Sequence, residues 1–390
     1  MKEILILTRA FENGGLEVAL VELLKNIDLN KYHVTVHCIE KRGNLSKEIP
    51  SAIRIEEIVF NPEKYRIFVN HRKMPNDSVK MILNKIYKKS CEWLCKVDDQ
   101  HNKYYELVLQ HTEKCKKKYD VVLDFYGYGH FLSAYGSRFV QAQKKAMWLH
   151  DEKMEWIKLT IPYLQDYDKF YCVSETVQKN FVQRFPELEK KTELLYNYVD
   201  IDQIRRLASE PIKDIYYTAN YKILTIGRLA EQKGYDYAVE AARILKQNGM
   251  EFVWYAIGEG LERKSLESKI REYGLEDYFV LLGRRENPYP YLKACDLYVQ
   301  PSLHEGYGIA VLEARVLCKP IVISNTPCLL EQIEDGVNGL VAALDGNDIA
   351  KKISLIRENE LLRNQLIENL KKSKIDFHRE LKKLECFLDD

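Results

Sequence analysis

Four residues in the second half of the chain have the types and spacing to do chemistry: Arg228, Lys233, Glu305 and Glu313. The two glutamates lie in His304-Glu305-Gly306-Tyr307-Gly308-Ile309-Ala310-Val311-Leu312-Glu313-Ala314. That segment follows a strand-like run, Leu297–Gln300, and the turn Pro301-Ser302, and then opens a helix. Glu305 is therefore expected in the loop and Glu313 about two turns into the helix. Gly306 and Gly308 let the backbone approach a ligand, and the free N–H groups where a helix begins can hold an anion. A carboxylate farther along can accept hydrogen bonds from paired sugar hydroxyls, as acidic groups do for ribose. A glutamate pair alone is more often a solvated helix face. Here the glycines, the strand–loop–helix setting and the next strand, Pro320-Ile321-Val322-Ile323, favour a site.

Arg228 and Lys233 stand in Gly227-Arg228-Leu229-Ala230-Glu231-Gln232-Lys233-Gly234, directly after the apolar run Ile223–Ile226. Open α/β sheets bind ligands at the C-terminal edge of their strands, where this loop belongs. Arg offers a planar fork to phosphate oxygens and Lys a point charge. Two surface cations are ordinarily just that; beside the glutamate segment they read as a diphosphate clamp.

Other candidates carry less. His150 ends the run Trp148-Leu149-His150-Asp151, a place where a lone histidine is more often structural. Asp166-Tyr167-Asp168 and Asp200-Ile201-Asp202 have the form of metal-binding pairs but read as loop or capping carboxylates. Cys91, Cys95, His101, His111 and Cys115 fit no compact zinc spacing. Gly258-Glu259-Gly260 lacks the third glycine of a dinucleotide fingerprint. Tyr126, Tyr128 and His130, around Gly127 and Gly129, read equally as an acceptor pocket and as aromatic packing.

The elements that must position these residues alternate from end to end. Short apolar runs at Ile4–Leu7, His33–Ile39, Val121–Asp124, Ala146–Leu149, Phe170–Val173 and Leu194–Tyr196 read as strands. A second series starts at Ile223 and continues through Phe252–Ile257, Phe279–Leu282, Leu297–Val299 and Pro320–Ile323. Helical spacing follows the first strand, over Leu16–Asn26. Two doubly wound α/β domains are expected, with the polar stretch Ala208–Asn220 as linker. Residues 1–205 form the first domain, 215–370 the second and 371–390 a helical tail. Residues 64–118 interrupt the alternation with 14 Lys and Arg against 6 Asp and Glu. An amphipathic helix from Val79 to Lys96 is expected there, and two readings stand side by side: an insertion with a solvated basic face, or a surface for anionic inner-leaflet lipid.

The whole-chain composition excludes several classes. With 390 residues, the chain exceeds one ordinary core. Basic and acidic residues number 59 and 58, so a nucleic-acid binder is not expected. No apolar run approaches the ~20 residues that span a bilayer. Nine scattered cysteines, an odd number, read as reduced thiols of a cytoplasmic protein.

Gly227-Arg228 through Lys233-Gly234, then Glu305-Gly306-Tyr307-Gly308 and Glu313-Ala314, resemble the retaining glycosyltransferases of family 4, including bacterial surface-polysaccharide members. Asn287-Pro288-Tyr289-Pro290-Tyr291-Leu292 strengthens the likeness. Asn197-Tyr198-Val199-Asp200 is similar to the family's Asn-Gly-Val-Asp segment, with Tyr198 replacing the glycine. The resemblance implies the GT-B fold: two facing Rossmann-like domains, the active site in the cleft between them, and a C-terminal helix packing back across the junction. It implies transfer of a hexosyl or N-acetylhexosaminyl group from a nucleotide-diphosphate sugar, UDP being the more frequent nucleotide, to a lipid-linked glycan acceptor, with no metal or other cofactor. By it, Arg228 and Lys233 hold the diphosphate, Glu305 contacts the donor sugar, and Glu313 takes the ribose hydroxyls. The amides of Gly306, Tyr307, Gly308 and Ile309 hold the distal phosphate and sugar, Gly14 and Gly15 approach donor phosphate or acceptor, and His150 lies near the transferred sugar. A location in the cytoplasm, peripheral at the inner membrane face, follows from such an acceptor. A nucleotide-sugar epimerase of similar fold and a non-catalytic partner subunit are the rival readings; the intact glutamate pair and cations favour transfer over both.

Overall fold

The computed structural model describes residues 1–12, 14–60, 104–127, 131–212, 221–373 and 378–390. The chain divides into two units: Met1–Val173 with Val177–Tyr196 and Leu381–Asp390, and Ser174–Thr176 with Asn197–Glu380. The sequence boundary at 205 therefore differs by the helix Ile201–Leu207, which Asn287 ties to the second unit by donating Nδ2 to Leu207 O at 3.0 Å. Of the expected linker, residues 213–220 lie outside the described residues, as does the expected helix Val79–Lys96.

In the first unit β1 (Lys2–Thr8), β2 (Tyr32–Cys38), β3 (Arg54–Glu57), β4 (Lys118–Asp124), β5 (Gln141–Leu149), β6 (Lys169–Cys172) and β7 (Thr192–Leu194) form one sheet in the order β3-β2-β1-β4-β5-β6-β7. Every pairing is parallel. The second unit's sheet, also parallel, uses β8 (Lys222–Ile226), β9 (Val253–Ile257), β10 (Phe279–Gly283), β11 (Leu297–Gln300), β12 (Ile321–Ser324) and β13 (Leu340–Ala342) in the order β10-β9-β8-β11-β12-β13. Two strands escaped the apolar-run reading. β3, Arg-Ile-Glu-Glu, is a largely exposed edge strand, and β13 is three residues long.

Buried parallel strands need apolar residues on both faces. In the second unit Ile223, Trp254, Leu297 and Val322 face one core with the helices Tyr235–Gln247 and Gly346–Glu358. Their neighbours Leu224, Tyr255, Tyr298 and Ile323 face the other, with the helices Tyr289–Ala294 and Ile309–Val316. This alternation fixes which side chains of β11 share a face.

The basic segment 64–118 is not uniform. Its described end, the helix Tyr104–Leu109, is core: Tyr104, Tyr105, Val108 and Leu109 are buried, and Tyr105 meets Phe131 edge-on at 6.2 Å. The C-terminal residues 360–389 form two helices, Glu360–Lys372 and His378–Asp389. The second belongs to the first unit: Lys2 Nζ donates to Leu388 O at 2.8 Å, Tyr32 OH to Asp389 Oδ1 at 2.5 Å, and Phe387 packs edge-on against Tyr171. No helix among the described residues is long and apolar enough to cross a membrane.

In both sheets the strand order reverses, between β1 and β4 and between β8 and β11. Connections leave such neighbours in opposite directions and open a crevice at their C-terminal ends. In the first unit Asp124 sits there, fully buried at the end of β4. Its carboxylate accepts from Ser133 Oγ at 2.5 Å and Gly127 N at 3.2 Å, yet burial outweighs these bonds and pushes its pKa up to about 7. A carboxyl raised in the folded state stabilises below its unfolded pKa, and the contribution is lost as pH rises through about 7. The Asp124→Asn variant, uncharged at every pH, should melt higher than wild type above about pH 7, with the difference vanishing toward pH 4. An equal difference at both ends, in thermal melts across that range, would show that ionisation is not the cause.

Candidate functional site

The second unit's reversal point brings the sequence candidates together. Gly227 follows β8, with its N–H bonded to Ile257 O at 3.0 Å and its carbonyl accepting from Tyr235 OH at 2.9 Å. Leu229, fully buried, anchors the loop, while Arg228 beside it is exposed. A short 3-10 turn, Glu231–Lys233, then closes on Gly234 at φ 65°. The loop after β11 is stitched to this one. Leu303 N donates to Gln232 O at 2.8 Å and Gln232 Nε2 to His304 O at 3.1 Å. Gly234 lies so close that a Cβ there would fall 1.8 Å from Pro301 O.

The stitching carries Lys233 to Glu305. Lys233 Nζ donates to Glu305 Oε1 at 2.6 Å, and Ser302 Oγ donates to the same oxygen at 2.7 Å. The Glu305 side chain is 7% exposed and that of Lys233 19%, so water screens the pair weakly. Ser302 is itself pinned: its carbonyl accepts from Ser324 Oγ at 2.6 Å and from Thr326 Oγ1.

Glu313 is the fifth residue of the helix Ile309–Val316, little more than one turn in, rather than two. The reason is Gly308, which at φ 84° sits outside the helix as its N-cap, so that the helix starts late. Gln332 Nε2 holds the Tyr307 and Gly308 carbonyls and so fixes the entry to the helix. Glu313 is buried and accepts from Tyr289 OH at 2.9 Å. Burial, then Tyr235, Glu313 and Glu305, hold the Tyr298 hydroxyl well above the usual tyrosine range, so this buried ring lies within the field of both carboxylates.

The remaining candidates belong to the first unit. His150 directly follows β5 with Nε2 at 2.8 Å from Phe125 O, which fixes the Nε2–H tautomer and leaves Nδ1 as an acceptor. Burial pushes its pKa down to about 4, so the ring is neutral near neutrality. Gly14 caps the helix Gly15–Asn26 in extended conformation, φ −113°, so no left-handed backbone demands glycine there. Of the aromatic cluster, Gly127 takes φ 74° against Trp148 O, while Tyr128, Gly129 and His130 lie outside the described residues. The paired aspartates have structural partners: Asp200 caps the helix Ile201–Leu207 by accepting from Gln203 N, Asp166 pairs with Arg138, and Asp168 accepts from Lys145 N. Cys91, Cys95 and His101 lie outside the described residues, among which no cluster of three or more potential metal ligands occurs.

Sequence reasoning missed Ser302, Gln300, Gln332 and the role of Tyr289. The signal for the first two was present: Tyr298, Gln300 and Ser302 place polar groups at period two along an otherwise apolar strand, which is one face by strand geometry.

Comparison with known proteins bears on the second unit. Residues 213–373 match the family described as glycosyl transferases group 1. Over 203 residues the chain is 34% identical to the N,N'-diacetylbacillosaminyl-diphospho-undecaprenol alpha-1,3-N-acetylgalactosaminyltransferase of Campylobacter jejuni, a match covering 51% of this chain and 48% of that one. It is 37% identical over 129 residues to the amylovoran biosynthesis glycosyltransferase AmsK of Erwinia amylovora, covering 31% and 32%. The chain thus spans about half the length, or less, of the curated relatives it matches. Among solved structures, Anabaena HepE in complex with UDP-glucose aligns over 100% of both chains with a TM-score of 0.72 and 18% identity. At that identity the likeness is one of fold, and it carries the GT-B class that the motifs implied.

The two loops depend on their close approach at Gly234. A Gly234→Ala change meets both a left-handed backbone and the Pro301 carbonyl, and should cost about 2 kcal/mol or more. Gly227→Ala meets only the Lys233 side chain, at 3.4 Å, and should cost less than about 1 kcal/mol. Urea unfolding of the two variants checks this, and equal losses would contradict it.

Proposed function

We propose, from the match of residues 213–373 to the family described as glycosyl transferases group 1, that the chain is a retaining glycosyltransferase. It moves a hexosyl or N-acetylhexosaminyl group from a UDP-sugar to a hydroxyl of a lipid-linked glycan in surface-polysaccharide synthesis. The observation that carries this reading is the Lys233–Glu305 pair, buried at Glu305 and half-buried at Lys233, at the reversal point of the second sheet, with Arg228 exposed on the same loop. Breaking the glycosidic bond gathers negative charge on the leaving diphosphate. Arg228, Lys233 and the first amides of the helix Ile309–Val316 are the groups that stabilise it. Lys233 has three N–H donors, so it can serve a phosphate oxygen while still held by Glu305. Glu313, held by Tyr289, takes the ribose hydroxyls.

Glu305 is not disposed as a nucleophile, because Oε1 already accepts two donors and the loop around it is pinned. Transfer on the front face, with a donor phosphate oxygen receiving the acceptor's proton, suits this arrangement. The polyprenyl-linked acceptor in the name of the Campylobacter relative supports the acceptor class. The excess of Lys and Arg in residues 64–118 suits an anionic inner-leaflet surface where such an acceptor lies. Side-chain cations and amides supply the charge that offsets the diphosphate, so no divalent metal is required.

Arg228→Ala and Lys233→Ala should each lower turnover with the preferred nucleotide sugar by about 10²–10³-fold. Wild-type rates in both, with folding confirmed by thermal melts, would remove the diphosphate assignment. Glu313→Gln should mainly weaken binding of the free nucleoside diphosphate by calorimetry, whereas Glu305→Gln should mainly slow transfer. Chelation with EDTA should leave turnover intact; loss restored by magnesium or manganese would count against the metal-free site.

A further inference from the structure

The Glu305 carboxylate stands at the end of a chain of buried hydrogen bonds that the proposed chemistry does not use. Tyr298, Gln300 and Ser302 lie on one face of β11 and its continuation, and all three are 1% exposed or less. Tyr298 OH donates to Gln300 Oε1, Gln300 Nε2 donates to Ser302 Oγ at 2.8 Å, and Ser302 Oγ donates to Glu305 Oε1 at 2.7 Å. The direction is fixed from the Glu305 end. With Gln300 Nε2 turned toward Ser302, its Oε1 is left to accept from the Tyr298 hydroxyl at the head. At the tail Glu305 also accepts from Lys233, which has no acceptor to offer in return. Gln300 is thereby set with its amide N toward Ser302, and Ser302 has no alternative orientation for its proton.

We propose that Gln300 and Ser302 are positioning residues that hold Glu305 as an ionised acceptor in one orientation, loading Oε1 with two donors and leaving Oε2 to take a hydroxyl of the donor sugar. This deepens the donor-sugar role proposed for Glu305 and rests on it. An apolar strand would pack as well and would avoid three buried polar groups, each of which is costly unless satisfied. Polar residues at alternate positions, all donating one way, are what a fixed carboxylate at the loop requires. Gln300 and Ser302 touch neither diphosphate nor ribose in this scheme and reach the donor only through Glu305.

The test uses Ser302→Ala, Ser302→Thr and Gln300→Glu in the full chain, each checked by thermal unfolding. Ser302→Ala should lower kcat by roughly 10–100-fold, the loss of one hydrogen bond to a charged group. Its affinity for UDP, measured by calorimetry, should stay within about twofold, because Arg228, Lys233 and Glu313 remain. Ser302→Thr, which keeps the hydroxyl, should retain most of kcat. Gln300→Glu should approach Ser302→Ala, because Ser302 then has one proton to share between two carboxylates. A second readout needs no turnover: acetylation of Lys233 by acetic anhydride, followed by mass spectrometry, should be several-fold faster in Ser302→Ala and Gln300→Glu, as Glu305 loses its fixed place beside the amine. Folded variants with wild-type kcat and wild-type labelling would overturn the proposal, as would equal losses of kcat and UDP affinity. If the wild type transfers or hydrolyses no nucleotide sugar, the proposed function fails; unchanged Lys233 labelling would then overturn the positioning role separately, and faster labelling would support it.

Discussion

The contact on which the second unit's site depends is the short, poorly solvated ion pair between Lys233 and Glu305. Neither charge would be stable at that depth alone, since a buried carboxylate without partners costs several kcal/mol in real proteins. Each is brought to the other by a loop leaving one of two adjacent strands, β8 and β11, whose order in the sheet forces the following connections apart. The same reversal that opens the crevice therefore supplies the two charges that line it. Gly234, pressed against Pro301 O, and Gln232, bonded to both Leu303 and His304, hold the distance constant.

Around that pair the polar groups are arranged in a definite order. Glu305 is restrained by Ser302, Ser302 by β12 and the segment after it, and Glu313 by Tyr289 from the helix Tyr289–Ala294. The exposed guanidinium of Arg228 is the exception. It starts the same loop and is exposed to solvent. In the first unit the buried Asp124 at the end of β4 and the half-buried His150 just after β5 have pKa values pushed toward their neutral forms, up to about 7 and down to about 4.

Much of this was legible in the sequence because the two signals involved are local. A parallel strand buried on both faces reads as an apolar run, and β1, β2, β8 to β12 were found that way. β3 was not, because an edge strand with one exposed side can be Arg-Ile-Glu-Glu, and β13 is too short to register. The glutamates and cations were identified by spacing, but their meeting could not be, because 72 positions separate Lys233 from Glu305 and only the strand order closes the gap. The depth of Glu313 was misjudged for a conformational reason, the left-handed Gly308 that delays the helix. The period-two pattern of Tyr298, Gln300 and Ser302 marks one polar face, but it does not say that the face ends on Glu305, since that contact is made by the loop after β11.

A double-mutant cycle on Lys233→Met and Glu305→Gln measures the central contact directly. Unfolding free energies of wild type, both single variants and the double variant give the coupling, with and without saturating UDP. A coupling of about 1–3 kcal/mol is expected in the free protein, because each single change leaves a poorly hydrated group without its partner. UDP should reduce that coupling, since Lys233 then shares its charge with phosphate. Additive single changes in the free protein, or a coupling that UDP leaves untouched, would contradict the assignment of this pair as the core of the nucleotide site.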